Sequence, residues 1–201
     1  MSERLGIFGG TFDPPHIGHQ ILASEALLQL SLNKVLWVLT PDPPHKKGRI
    51  ISPLKDRLDM VVAAITGYPD FELSRIDIDR PPPHFAVDTV HLLSKKNPSA
   101  EIIYLMGGDS LSDLPDWYNA RGFVSSCHVL GVLRRPGYEI NLNWLEKQIP
   151  GIQRKIEFVE THLIGIAASD IRQMVKSGKP IQKYLNPAVY RIIQERNLYL
   201  S

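Results

Sequence analysis

Two imidazoles three residues apart, His16 and His19, follow the turn Gly9-Gly10-Thr11-Phe12-Asp13-Pro14-Pro15 and flank Gly18. If a helix has begun there, side chains at this spacing lean to the same side, so both rings can face one ligand. A helix start also presents backbone N–H groups without intrahelical partners and the positive end of the dipole, which favours an anion. Gly9 and Gly10 carry no side chain to hold their amides away from a phosphate, and Gly18 allows another group to approach closely. The chemistry these residue types can do is phosphate binding and charge stabilisation. Neither G-x-G-x-x-G nor the Walker pattern occurs here, so this is a different phosphate cradle. Two histidines could also ligate zinc, but no cysteine or third histidine lies close by, and catalytic zinc takes three protein ligands. A cap or a solvated ring is the ordinary reading of one such histidine; the pair in H-x-G-H after a Gly-Gly turn favours the anion site.

Such a cradle has to be held by regular elements. Leu5, Ile7 and Phe8 form a short apolar run that stops at the Gly pair, as a buried parallel strand does. Beyond the turn, Ile17, Ile21 and Leu28 recur on one face at helical spacing with the small Ser24 between them, predicting a helix that buries this face. Lys34-Val35-Leu36-Trp37-Val38-Leu39-Thr40 is a second apolar strand. Strand, helix, strand is the βαβ unit of a parallel sheet. The expected fold is α/β: a Rossmann-like doubly wound parallel sheet flanked by helices, with a small C-terminal helical extension. At 201 residues it is expected to form one domain, residues 1–201.

Distant segments offer further groups. The proline-rich stretch Pro41 to Arg49 leaves the carboxyl end of a strand and carries His45, Lys46, Lys47 and Arg49, which predicts a lid bringing cations to phosphates. Ser52-Pro53 reads as a cap and first position of a helix whose stripe is Leu54, Leu58, Val61, Val62 and Ile65, with Arg57 on the surface. Phe71 to Ser74 and Ile76 to Asp79 read as short strands, and Ala86 to Lys95 as a helix. Glu101 to Met106 is a strand that ends in Gly107-Gly108-Asp109-Ser110, where a carboxylate and a hydroxyl suit ribose or an adenine edge. Trp117-Tyr118 follows, able to stack a heteroaromatic ring. His128 to Leu133 is another strand, running into Arg134-Arg135-Pro136-Gly137, with Asn143 to Ile149 a helix and Ile156 to Val159 a strand. Ser169 reads as the cap of a helix stopping at Gly178, aiming Ser169 and Arg172 from a second helix start. Asn186-Pro187 caps the last helix.

A net charge of +2 shows no concentrated basic surface, so neither a nucleic acid nor a membrane is expected as partner. The single Cys127 excludes an internal disulfide, and its setting predicts a buried thiol beside a strand. Met1-Ser2-Glu3-Arg4 runs straight into the first strand, predicting no secretory leader and a cytoplasmic protein. Composition leaves a homo-oligomer open.

Gly10-Thr11-Phe12-Asp13-Pro14-Pro15-His16-Ile17-Gly18-His19 resembles the G-x-F-x-P-x-H-x-G-H signature of the nucleotidyltransferases that move AMP or CMP onto a phosphate. With Gly6 to Pro14, Pro43-Pro44-His45-Lys46, Gly107-x-Asp109-Ser110, Trp117-Tyr118, Arg134-Arg135-Pro136-Gly137, Ile166 to Arg172 and Tyr184-Leu185-x-Pro187, the chain resembles bacterial nicotinate-nucleotide adenylyltransferases over nearly its whole length. The resemblance implies adenylyl transfer from ATP to nicotinate mononucleotide, with Mg²⁺ held through the ATP phosphates. It implies that His16, His19, Lys46 and Arg172 carry catalysis, and that Gly9, Gly10, Thr11, Gly107, Asp109 and Ser169 bind ATP. Phe85, Ala86, Trp117 and Arg134 would bind the mononucleotide.

Two positions depart from that pattern. Such families commonly show Ser or Thr where Ala167 stands, so one phosphate-side hydroxyl is missing, and Tyr-Thr where Phe85-Ala86 stands, beside the pyridine pocket, a loss that recognition of the carboxylate by backbone amides would tolerate. The alternatives are adenylyl or cytidylyl transfer to another acceptor, such as nicotinamide mononucleotide or phosphopantetheine, and a nucleotide-binding regulator without turnover.

Overall fold

A computed structural model describes residues 2–43, 51–134, 139–161 and 165–200. Along the chain, β1 (Arg4–Gly10), α1 (Ile17–Gln29), β2 (Lys34–Leu39), α2 (Leu54–Ile65) and β3 (Phe71–Ser74) form the first half. The second half runs α3 (Ala86–Lys96), β4 (Glu101–Gly107), α4 (Gly108–Ser112), α5 (Ala120–Ser126), β5 (Val129–Arg134), α6 (Leu142–Gln148) and β6 (Ile156–Glu160). Two more helices, α7 (Ala168–Lys176) and α8 (Pro187–Glu195), complete it. The six strands are all parallel in the order β3-β2-β1-β4-β5-β6. This is the doubly wound arrangement expected from the sequence, with its switch of direction between β1 and β4.

Alternation along the strands explains why the sheet is buried on both sides. Ile7, Leu36, Val38, Ile102, Tyr104 and Val132 point to one face and pack with Val90 and Leu93 of α3 and Phe123 of α5. Phe8, Val35, Trp37, Leu39, Ile103 and Leu105 point to the other and pack with Ala23 and Ala26 of α1 and Val61 of α2. The inner strands β1, β2, β4 and β5 therefore read as near-continuous apolar runs, because both faces are covered, whereas the edge strands β3 and β6 carry the exposed Glu72, Glu157 and Glu160. Cys127 is buried beside β5, and burial pushes its thiol up to about 12. A third apolar cluster joins Met60 and Ala64 of α2 to Ile171 of α7 and to Ile181, Leu185, Val189 and Ile193, so the C-terminal helices pack on the outer side of α2. Arg196 adds ion pairs to Asp56 at 2.6 Å and Asp59 at 2.7 Å.

Several local expectations are corrected. In α1 the buried residues are Gly18, Gln20, Leu22, Ala23 and Ala26, whereas Leu28 is 73% exposed. The helix presses its small residues on the sheet, so the large aliphatics at Ile17 and Ile21 end up half-buried. Helix α2 starts after Pro53, not after a Ser52 cap, and the Ser52 N–H donates instead to the Asp13 carboxylate at 3.2 Å. Val62 is exposed, and Arg57, expected at the surface, is 2% exposed. Ile76 to Asp79 is a turn, closed by the Asp79 N–H donating to the Arg75 carbonyl at 2.9 Å. The helix start at α7 belongs to Ala167; its N–H donates to the Asp170 carboxylate at 2.9 Å, so Ser169 lies one position inside the helix. The stop at Gly178 is as expected, with φ of +67°, a region that glycine enters without a Cβ clash. Asn186 caps α8 by accepting from the Ala188 N–H at 2.9 Å. Among the described residues no helix is long and apolar enough to cross a membrane.

Candidate active site

The sheet itself opens the site. β1 pairs with β2 as far as Gly10 opposite Leu39, but with β4 only as far as Phe8 opposite Leu105. Past Phe8 the two central strands part, leaving the β4-facing edge of Gly9 and Gly10 open at the carboxyl end of the sheet, where doubly wound folds bind ligands. A cavity of about 1160 Å³ fills this crevice, larger than the roughly 300–1,000 Å³ of ordinary small-molecule sites.

The turn between β1 and α1 is nailed down from several directions. Phe12, 2% exposed with φ of +47°, places its ring edge-on to Phe8 at 5.4 Å and tilted on Trp37 at 5.1 Å. A left-handed phenylalanine is held only where its surroundings over-determine it, and here the aromatic cluster does so. The buried Arg57 guanidinium donates to the carbonyls of Thr11 (3.0 Å), Thr40 (2.9 Å), Pro41 (2.7 Å) and Ser52 (3.0 Å). Burial lowers the Arg57 pKa, and the nearby Asp13 charge acts against that. Asp13 accepts from the Tyr199 hydroxyl at 2.7 Å, and burial beside that carboxylate raises the Tyr199 pKa.

Within this frame His16 and His19 come together. The His16 N–H donates to His19 Nδ1 at 3.0 Å, and the two ring centroids are 3.7 Å apart. Because Nδ1 of His19 keeps its lone pair for that bond, the proton of the neutral ring is on Nε2, which can donate to a ligand. Phe12 flanks the His19 ring at 5.2 Å. Arg172 arrives from α7, its Nη1 donating to the Asp13 carbonyl at 2.6 Å. The first turn of α7 also lines the cavity through Ala167, Ala168 and Ser169. The two helix starts thus converge on one space.

Gly107 and Asp109 line the cavity at the end of β4, and the Asp109 carboxylate folds into the space that a Gly107 side chain would take. On the opposite wall Phe85 and Ala86 precede α3, held by Arg80, which donates to the carbonyls of Pro83 (2.8 Å) and Phe85 (3.4 Å). Arg80 is fixed in turn by Asp77 at 3.0 Å. Trp117 lines the cavity but is half-buried against Phe123 and Tyr104, whereas Tyr118 is 62% exposed and stacks on Phe85 at 4.0 Å. The structure therefore gathers His16, His19, Arg172, Gly9, Gly10, Thr11, Gly107, Asp109, Ser169, Phe85, Ala86 and Trp117 around one cavity. It does not bring Arg134 there: that side chain pairs with Glu160 at 3.1 Å and lies over the Phe158 ring. Lys46 and Arg135-Pro136-Gly137 lie outside the described residues. Sequence reasoning missed Arg57, Phe12 and Tyr199, which hold the turn. Only the apolar Phe12 inside the motif gave any signal for this.

Comparison with known proteins gives the same direction. A family model described as cytidylyltransferase-like matches residues 7–174. A probable nicotinate-nucleotide adenylyltransferase of Thermomicrobium roseum is 42% identical, covering 98% of this chain and 92% of its own. Its counterpart in Bacillus pumilus is 34% identical over 99% and 100%. Among solved structures, Plasmodium falciparum nicotinic acid mononucleotide adenylyltransferase complexed with NaAD shares the fold, with TM-score 0.80, 17% identity, and coverage of 98% and 97%.

Proposed function

The chain belongs to the cytidylyltransferase-like family, among the nicotinate-nucleotide adenylyltransferases, and from that premise we propose how it works. It transfers AMP from ATP to nicotinate mononucleotide, releasing pyrophosphate and forming nicotinate adenine dinucleotide, a step of NAD synthesis. The acceptor phosphate attacks the α-phosphorus in line, so the protein's work is positioning and charge stabilisation rather than covalent chemistry. Residues 1–201 act as one domain, the C-terminal helices serving to deliver Arg172.

The observation that carries this reading is the close pair His16 and His19 at the start of α1, with Arg172 of α7 bonded to the Asp13 carbonyl three residues before them. His19 Nε2–H donates to the triphosphate, and His16 lies against it as the second imidazole. Arg172 supplies the fixed positive charge, with Lys46 joining from the segment after β2. Gly9, Gly10, Thr11 and Ser169 contact phosphates, while Gly107 and Asp109 face the adenosine. Phe85, Ala86 and Trp117 form the acceptor wall. Arg134 would have to leave Glu160 to take part.

A divalent cation fits this site only through the nucleotide. Among the described residues no group of three or more His, Cys, Asp or Glu side chains could hold a metal. Asp13, the carboxylate nearest the histidines in sequence, is already engaged by Tyr199 and Ser52. Mg²⁺ bound to phosphate oxygens and water would neutralise charge on the leaving pyrophosphate. An assay of pyrophosphate release with ATP or CTP and each candidate acceptor tests the assignment: turnover is expected with ATP and nicotinate mononucleotide, and its absence would contradict it.

A further inference from the structure

One hydroxyl at the floor of the cavity has no part in the reaction described above. Tyr104 stands in β4 opposite Ile7 of β1, and its ring packs edge-on against Phe123 at 4.8 Å and Trp117 at 6.2 Å. The residue is 7% exposed and lines the cavity. Its hydroxyl reaches under the end of β1, 2.6 Å from where a Cβ on Gly9 would stand. Burial raises the phenol pKa, so the group meets a ligand as an O–H donor. Among the described residues no hydrogen bond to this hydroxyl is formed.

A phenol O–H that opens on a cavity is placed to donate to whatever the cavity binds. None of the neighbouring polar groups among the described residues is bonded to it: most are engaged with one another, and the one that is not, His84 Nδ1, is buried without a hydrogen-bond partner of its own. Asp77 accepts from the Thr89 hydroxyl at 2.8 Å and pairs with Arg80, and His84 Nε2 meets the Arg80 carbonyl at 3.2 Å. The rest of this wall, Phe85, Ala86 and Trp117, offers no side-chain oxygen donor. The place where hydroxyls are expected in such enzymes is apolar here, and a hydroxyl stands unmet in the same cavity.

We infer that the Tyr104 hydroxyl is a specificity-determining contact, donating a hydrogen bond to an oxygen of the acceptor mononucleotide and replacing the hydroxyls absent at Phe85 and Ala86. This rests on the acceptor assignment above. Tyr104→Phe removes the oxygen and keeps the ring, so the core packing survives. The KM for nicotinate mononucleotide should rise by about tenfold while the KM for ATP changes less than about twofold. The melting temperature should stay level, since the ring keeps its packing against Phe123 and Trp117. The same variant assayed with nicotinamide mononucleotide tells which oxygen is held: a parallel loss places the bond on ribose or phosphate, a loss confined to the nicotinate form places it on the ring carboxylate. An unchanged acceptor KM, equal rises for both substrates, or a fall in melting temperature would overturn the inference. Wild-type turnover separates the two readings. An active wild type with an indifferent variant removes this contact alone, whereas an inactive wild type removes the acceptor assignment and the contact with it.

Discussion

His19 can donate from Nε2 because the backbone of His16, three residues earlier, occupies its other nitrogen. That arrangement links the H-x-G-H spacing directly to protonation: the backbone N–H fixes the tautomer, and the helix start fixes the direction. His19→Ala is expected to lower kcat by about two or more orders of magnitude, as for loss of a transition-state charge contact, with little change in melting temperature; stopped-time pyrophosphate assays measure it. Arg57 shows the opposite case, a residue whose role is invisible in sequence. A lone arginine among Lys55, Asp56 and Asp59 has the pattern of a solvated helix face, and only the meeting of the Thr11, Thr40, Pro41 and Ser52 carbonyls makes it a buried clamp. Arg57→Leu leaves those carbonyls without their charged donor and is expected to cost about 2–4 kcal/mol in urea denaturation, with activity falling further than stability as the phosphate turn loosens.

At the scale of elements, the glycines at the end of β1 make room for neighbouring side chains. A Cβ on Gly9 would meet the Tyr104 hydroxyl at 2.6 Å, and one on Gly10 would meet the Phe12 ring at 2.8 Å. Gly9→Ala should therefore destabilise by about 1–3 kcal/mol in the wild type and by distinctly less in a Tyr104→Phe background, a coupling that a double-mutant cycle reads directly. The inner strands were legible because a sheet covered on both faces demands near-continuous apolar runs. The face of α1 was not, because it packs Leu22, Ala23 and Ala26 toward the sheet and leaves Leu28 in solvent, so that the aliphatics at Ile17, Ile21 and Leu28 do not mark the buried stripe. Ile76 to Asp79 alternates like a strand, yet Asp77 turns inward to hold Thr89 and Arg80, which support the Phe85 side of the cavity. Alternation alone cannot tell a pleat from a turn with two buried contacts.

Across the whole molecule, the chain closes on its own beginning. Tyr199, next to the last described residue, donates to Asp13, and Arg172 binds the same residue's carbonyl, so the C-terminal part of the chain braces the turn between β1 and α1. No local pattern announces a contact spanning 186 residues, which is why the motif was readable and its support was not. Because the folded-state pKa of Tyr199 is raised above the ordinary 10.0, its contribution is fully present below about pH 10 and is lost as pH climbs beyond it. Tyr199→Phe should accordingly lower stability at pH 7 and flatten the alkaline decline, as followed by denaturation at a series of pH values. The central claim concerns what this braced turn does, and it is tested most directly by incubating the purified protein with ATP, Mg²⁺ and nicotinate mononucleotide and measuring pyrophosphate and dinucleotide together. The account predicts the two products in equal amounts, lost in His19→Ala; no dinucleotide from the wild type, or undiminished turnover in the variant, would contradict it.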